Sequence, residues 1–119
     1  MKYTITLSEP WFSLIKLGIK TCEGRLNRGL FSKLKKGDTI VFINNNFGFT
    51  RKCKVKITSI HKYNTFYDYL QKETLDKCLP GIKKITNGCK IYYKYYNKKD
   101  EAKYKIISIN IKKIIRKKN

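Results

Sequence analysis

Apolar and polar side chains alternate along residues 2–7 (Lys-Tyr-Thr-Ile-Thr-Leu), a period of two that predicts a strand. Ser8-Glu9-Pro10 then has the makings of a helix start, with a capping serine and a proline suited to the first turn. Trp11, Leu14, Ile15 and Leu17 form a helical apolar set, and Gly18 is placed to end it. Residues 21–25 read as short and extended, and 26–34 as an ambiguous stretch with room for a short helix. After a turn at Lys36-Gly37-Asp38, residues 39–43 (Thr-Ile-Val-Phe-Ile) predict a strongly apolar strand. Asn44 to Gly48 is a turn rich in residues that tolerate positive φ.

The clearest alternation covers residues 49–60. Cys53, Val55 and Ile57 point one way and Lys52, Lys54 and Lys56 the other, giving a strand with one core face and one basic face. Asn64-Thr65 caps a predicted helix through about residue 72, with Phe66, Tyr69 and Leu70 inward. A second short helix at 75–79 is stopped by Pro80-Gly81. Ile82, Ile85, Cys89, Tyr92 and Tyr96 recur at helical spacing. Asn87-Gly88 opposes that reading; the stripe wins, and a helix is expected over 84–96. Tyr104, Ile106 or Ile107, Ile109 and Ile111 form a final strand. The order β-α-β-(α)-β-β-α-α-α-β predicts an α+β domain, a small mixed sheet curled into a half-barrel with helices around it.

Composition adds a charge. The chain has 119 residues, with Lys plus Arg 28 and Asp plus Glu 8, a net charge of +20. That length fits one domain, taken as 1–112 with a basic tail at 113–119. The excess points to a polyanionic partner such as nucleic acid. Only Arg25, Arg28, Arg51 and Arg116 are arginines, and lysine, isoleucine and asparagine are abundant everywhere. A lysine run is therefore first a solvated face, and the arginines carry more information. No apolar run is long enough for a membrane span, and no secretory signal is evident, so an intracellular protein is expected, cytoplasmic or, through the tail, nuclear. Cys22, Cys53, Cys78 and Cys89 form no closely spaced pair, and His61 is the sole histidine. Neither a metal site nor a cofactor is expected, and the thiols read as free.

One segment is dense in chemistry: Glu9-Pro10-Trp11-Phe12, then Gly18-x-Lys20-Thr21-x-Glu23-x-Arg25-Leu26. Lys20, Glu23 and Arg25 alternate charge within six residues, just past a glycine able to turn the backbone. By themselves such charges read as surface ion pairs of small energetic weight. Together with Lys36-Gly37-Asp38 and Leu79-Pro80-Gly81, in this order, they resemble the ASCH domain (activating signal cointegrator homology) of the PUA-like superfamily, over about residues 3–111. The resemblance implies a small β-barrel with surrounding helices. It also implies a cleft for RNA or a nucleobase, lined by the Gly-x-Lys-x-x-Glu-x-Arg segment.

Three functions from different classes follow. The first is a nucleic-acid-binding module, with RNA favoured by the cleft that the resemblance implies. Its ligand contacts are Lys20, Thr21, Glu23 and Arg25 in the cleft, Lys52, Lys54 and Lys56 on the strand, and Tyr63, Tyr67 or Trp11 for stacking. The second comes from small bacterial relatives that this chain resembles and that hydrolyse the acetyl amide of N4-acetylcytidine, a modified nucleoside. Their catalytic lysine corresponds to Lys20 and their glutamate to Glu73. Their threonine falls at Glu23, with Thr21 out of register. A ribonuclease relying on Lys20, Glu23, Glu73 and His61 is a further variant, and a protein-interaction adaptor a third class. Lys20 is expected to line the cleft near Glu23 or Glu73, to touch the ligand and to be expendable for stability. Trp11 is expected inside the core, between the first strand and the 84–96 helix. A monomer is expected.

Overall fold

The computed structural model describes residues 1–115. Strands β1 (Lys2–Thr6), β2 (Cys22–Leu26), β3 (Thr39–Asn44), β4 (Arg51–Tyr63) and β5 (Ile106–Lys113) form one mixed sheet in the order β1-β3-β4-β5-β2. Helices α1 (Trp11–Lys16), α2 (Phe66–Glu73), α3 (Leu75–Cys78), α4 (Ile85–Tyr93) and α5 (Lys98–Tyr104) surround it, and residues 29–33 form a 3-10 turn. The sheet curls into a half-barrel, the α+β architecture that the periodicities predict. Within the expected basic tail, residues 116–119 lie outside the described residues.

The long central strand follows its alternation: Cys53, Val55 and Ile57 are buried and Lys52, Lys54 and Lys56 exposed. β3 pairs with β1 in parallel and with β4 antiparallel, while β5 joins β4 to β2. Two apolar clusters result. One lies inside the sheet's curl around Phe12, Ile15, Ile40, Phe42, Val55 and Ile109. The other lies between β2, β5 and helices α2–α4, around Leu26, Phe66, Tyr69, Leu70, Leu79 and Tyr92.

Local sequence explains the helices on that second layer. The Thr65 hydroxyl accepts the Asp68 N–H at 3.1 Å and starts α2, whose Phe66, Tyr69, Leu70 and Glu73 face inward. α4 carries the predicted stripe, and Gly88, the residue that argued against a helix, is what lets it pack. A Cβ there would lie 2.8 Å from Leu70 Cδ1 and 3.1 Å from Leu79 Cδ1. The helix is shorter than expected and is followed by α5, which the strand pattern had hidden. Asn97 caps α5 by accepting the Asp100 N–H at 2.7 Å, and Tyr104 ends this helix rather than opening the last strand. Glu101 of α5 accepts the Phe66 N–H at 2.8 Å and the Tyr93 hydroxyl at 2.8 Å, tying three helices together.

α1 is also rotated from the expected register. Phe12 and Ile15 are its buried residues, Leu17 is 71% exposed, and Trp11 is only half-buried, touching both clusters. No helix among the described residues is long and apolar enough to cross a membrane.

Candidate ligand cleft

The two edge strands of the half-barrel, β1 and β2, leave a seam. A cavity of about 300 Å³ lies there. Thr6, Leu7 and Ser8 form one wall, Glu23, Gly24 and Arg25 the other, and Trp11, Leu79, Ile91 and three tyrosines (Tyr92, Tyr95 and Tyr96) complete it. Tyr92 is buried and anchored by the Tyr69 hydroxyl at 3.2 Å, whereas Tyr95 stands at the rim, 67% exposed.

Behind this wall lies a buried charge cluster. The Lys20 side chain is 0% exposed. Its ammonium donates to the Cys22 carbonyl at 2.6 Å and to the Cys78 carbonyl, and ion-pairs with Glu23 Oε1 at 3.2 Å. An ammonium has three hydrogens, so all are taken. It also sits 5.8 Å from the centre of the Trp11 ring, within cation–π range. Arg25 grips the other carboxylate oxygen of Glu23 through Nε and Nη2, each at 2.9 Å, and lies 4.9 Å from the Phe31 ring. Burial pushes the Glu23 carboxyl up, but Lys20 and Arg25 together outweigh it and hold the group below its ordinary range. Glu23 is thus a fixed carboxylate, a good hydrogen-bond acceptor and a weak base.

Lys20 does come next to Glu23, but it stands behind it, buried, with its three hydrogens all donated within the protein. Thr21 is half-buried outside the cleft, and its backbone ties β2 to Lys77 and to Ile111. Glu73 is not part of the cleft either. Its carboxylate accepts the Tyr63 hydroxyl at 2.7 Å and the Asn110 amide at 3.2 Å. Burial raises it, but these hydrogen bonds and one from Ser108 lower it further, so it too is held ionised. Tyr63 is thereby engaged as a donor, and Tyr67 is 47% exposed on α2, away from the cleft. Cys22 is fully buried between these groups, 3.1 Å from the Ser108 hydroxyl.

Lys52, Lys54 and Lys56 project from the other face of the sheet. The register places Lys2, Thr39, Lys56 and Lys112 in one row across four strands. Lys56 and Lys112 face each other directly, an arrangement that costs stability without an anion nearby. Sequence reasoning missed Tyr95 and Gly24 of the cleft and assigned Tyr92 and Tyr96 to the core. The signal available was the density of Tyr92-Tyr93-x-Tyr95-Tyr96, beyond what one helical stripe needs.

The comparisons agree with this fold. The ASCH domain family profile matches residues 5–115. The chain belongs to the ASCH domain family. The crystal structure of hypothetical protein PH0355 superposes on this ASCH domain with a TM-score of 0.86 at 38% identity, covering 96% of this chain and 100% of that one. The solution NMR structure of PF0455 from Pyrococcus furiosus gives 0.77 at 37% identity, covering 96% and 98%. The crystal structure of a ZmASCH mutant from Zymomonas mobilis gives 0.58 at 12% identity, covering 92% and 66%, and shares the fold. No curated protein matches the chain significantly.

Proposed function

We propose that this ASCH domain binds single-stranded RNA, holding one base in the seam cleft while lysines on the outer sheet face meet phosphates. The observation that carries this reading is the cleft itself. Four aromatic side chains, Trp11, Tyr92, Tyr95 and Tyr96, surround a space of about 300 Å³ backed by a fixed carboxylate and guanidinium. Aromatic rings supply stacking that any base accepts, worth about 1–3 kcal/mol per base. The polar pair supplies orientation. The row of lysines through Lys56 and Lys112, with Lys52 and Lys54 beside it, supplies the charge.

The amidohydrolase alternative draws less support. It needs an effective general base and a free ammonium, whereas Glu73 and Glu23 are both held below the ordinary carboxyl range, which makes them weak bases, and every hydrogen of Lys20 is taken.

The test is a titration of short single-stranded RNA, followed by fluorescence of Trp11, the chain's one tryptophan, at several salt concentrations. The reading expects quenching on binding. If Lys2, Lys52, Lys54, Lys56 and Lys112 each meet a phosphate, log K against log salt should have a slope of about −3.5. Binding indifferent to salt would remove the lysine face from the proposal. Binding with no change at Trp11 would remove the cleft.

A further inference from the structure

β2 is an edge strand, bonded on one side only, to β5. The Thr21 carbonyl accepts the Ile111 N–H at 3.0 Å, and the Asn27 N–H donates to the Lys105 carbonyl at 2.9 Å. In an antiparallel ladder the residues that exchange bonds with the partner alternate. Thr21, Glu23, Arg25 and Asn27 therefore face β5 with their peptide groups. Cys22, Gly24 and Leu26 turn theirs to the open side. The carbonyl of Cys22 is taken by Lys20 at 2.6 Å, and that of Leu26 by the Arg28 N–H at 2.9 Å. Gly24 alone of the three keeps both its N–H and its C=O without a partner among the described residues.

Gly24 is buried and lines the cleft. It has no side chain, so its peptide groups are what the cleft meets. A buried peptide donor and acceptor without partners carry a free-energy cost that a ligand can relieve. The side of Gly24 where a Cβ would stand is closed by Tyr69, whose ring carbons would be 2.5 Å away. This keeps the residue a glycine and the strand pressed on its support. The result is one rigid donor beside one rigid acceptor in an aromatic slot, next to the Glu23 carboxylate.

We infer that the Gly24 peptide reads the hydrogen-bonding edge of the base, its N–H donating to a ring or carbonyl acceptor while its C=O accepts from the neighbouring N–H of that base. The inference rests on the RNA reading of this cleft and adds the ligand's required chemistry: a planar heterocycle with a donor and an acceptor side by side. A peptide strand could use the same edge, but a space of about 300 Å³ closed by Trp11 and Tyr96 suits one ring.

Glycine follows glutamate once in this chain, at Glu23-Gly24. Labelling the glutamate carbonyl carbon and the glycine nitrogen therefore gives a single correlated amide signal, that of Gly24. Uridine and cytidine are titrated against it, beside 3-methyluridine and N4,N4-dimethylcytidine, which stack alike but lack the edge donor. The inference expects the Gly24 proton to move downfield with the parent nucleosides. It also expects the methylated forms to bind at least about tenfold more weakly, since they leave the Gly24 carbonyl buried and unpaired. If Trp11 fluorescence reports binding but the Gly24 signal stays still, or the methylated forms bind equally, the edge reading is overturned and stacking in the cleft stands. If no nucleoside perturbs either Trp11 or Gly24, the base cleft falls and the inference with it.

Discussion

Replacing Lys20 by methionine isolates what its ammonium does. Methionine retains most of the buried stem's volume, so the cavity contribution is small. Three interactions then vanish together: the hydrogen bonds to the Cys22 and Cys78 carbonyls and the ion pair with Glu23. Removing one partner of a buried pair costs about 3–5 kcal/mol. Each stranded carbonyl adds up to about 1–3 kcal/mol when no water reaches it. Arg25 remains on Glu23 and limits the damage. A net loss of about 4 kcal/mol is expected, a large share of the roughly 5–15 kcal/mol that holds a domain. Near four degrees per kcal/mol, Tm should fall by about 15 °C. Urea unfolding followed by far-UV circular dichroism should show the midpoint dropping with m unchanged. The double variant Lys20→Met, Glu23→Leu should lose less than the sum of the singles, because no half-paired carboxylate is left facing the vacated position. A Lys20→Met protein within about 0.5 kcal/mol of the parent would refute the reasoning and return Lys20 to the role of an expendable ligand contact.

Other outcomes are as direct. Trp11→Ala should stay folded, since Trp11 is only half-buried, and should weaken RNA binding by about tenfold as read by anisotropy of a labelled oligonucleotide; global unfolding would return Trp11 to the core. Gly24→Ala should cost roughly 1–3 kcal/mol in thermal melting, because its Cβ would meet the Tyr69 ring at 2.5 Å. Glu23 and Glu73 are both depressed in the folded state, so their stabilisation is complete above the unfolded glutamate value of about 4.5 and is lost as pH falls through their lower folded values. Tm measured from about pH 6 to about pH 3 should fall less steeply in Glu23→Gln than in the parent.

The strands were legible where one face is wet. Lys52, Lys54 and Lys56 mark β4 because water accepts every second residue while Cys53, Val55 and Ile57 cannot leave the core. α4 was legible from its stripe even against Asn87-Gly88, since burial of three or four side chains outweighs the weak propensity of one glycine. α5 was not, although Asn97-x-x-Asp100 is a capping pattern, because its lysines show no apolar stripe and Tyr104 extends the alternation of β5. The burial of Lys20 could not be read from composition: among the chain's many lysines it is distinguished only by acceptors brought from Cys22 and Cys78, one of them 58 residues away. The cleft depends on β2 pairing with β5 across more than eighty residues of chain, a long-range register that no local pattern encodes.

Glu101 gives the small α5 helix an influence larger than its size. Its carboxylate serves the first N–H of α2 and the hydroxyl of Tyr93 on α4 at once. The two helices are therefore referenced to a common point that lies on neither. The cleft's tyrosines, Tyr92, Tyr95 and Tyr96, sit on α4 and in the turn that leads into α5. Any change that loosens Lys98–Tyr104 would shift where these rings stand without touching one of them. Relatives with a different segment between α4 and the last strand would then present differently angled aromatic walls on an unchanged sheet, so the shape of the cleft can drift through a region that does not line it.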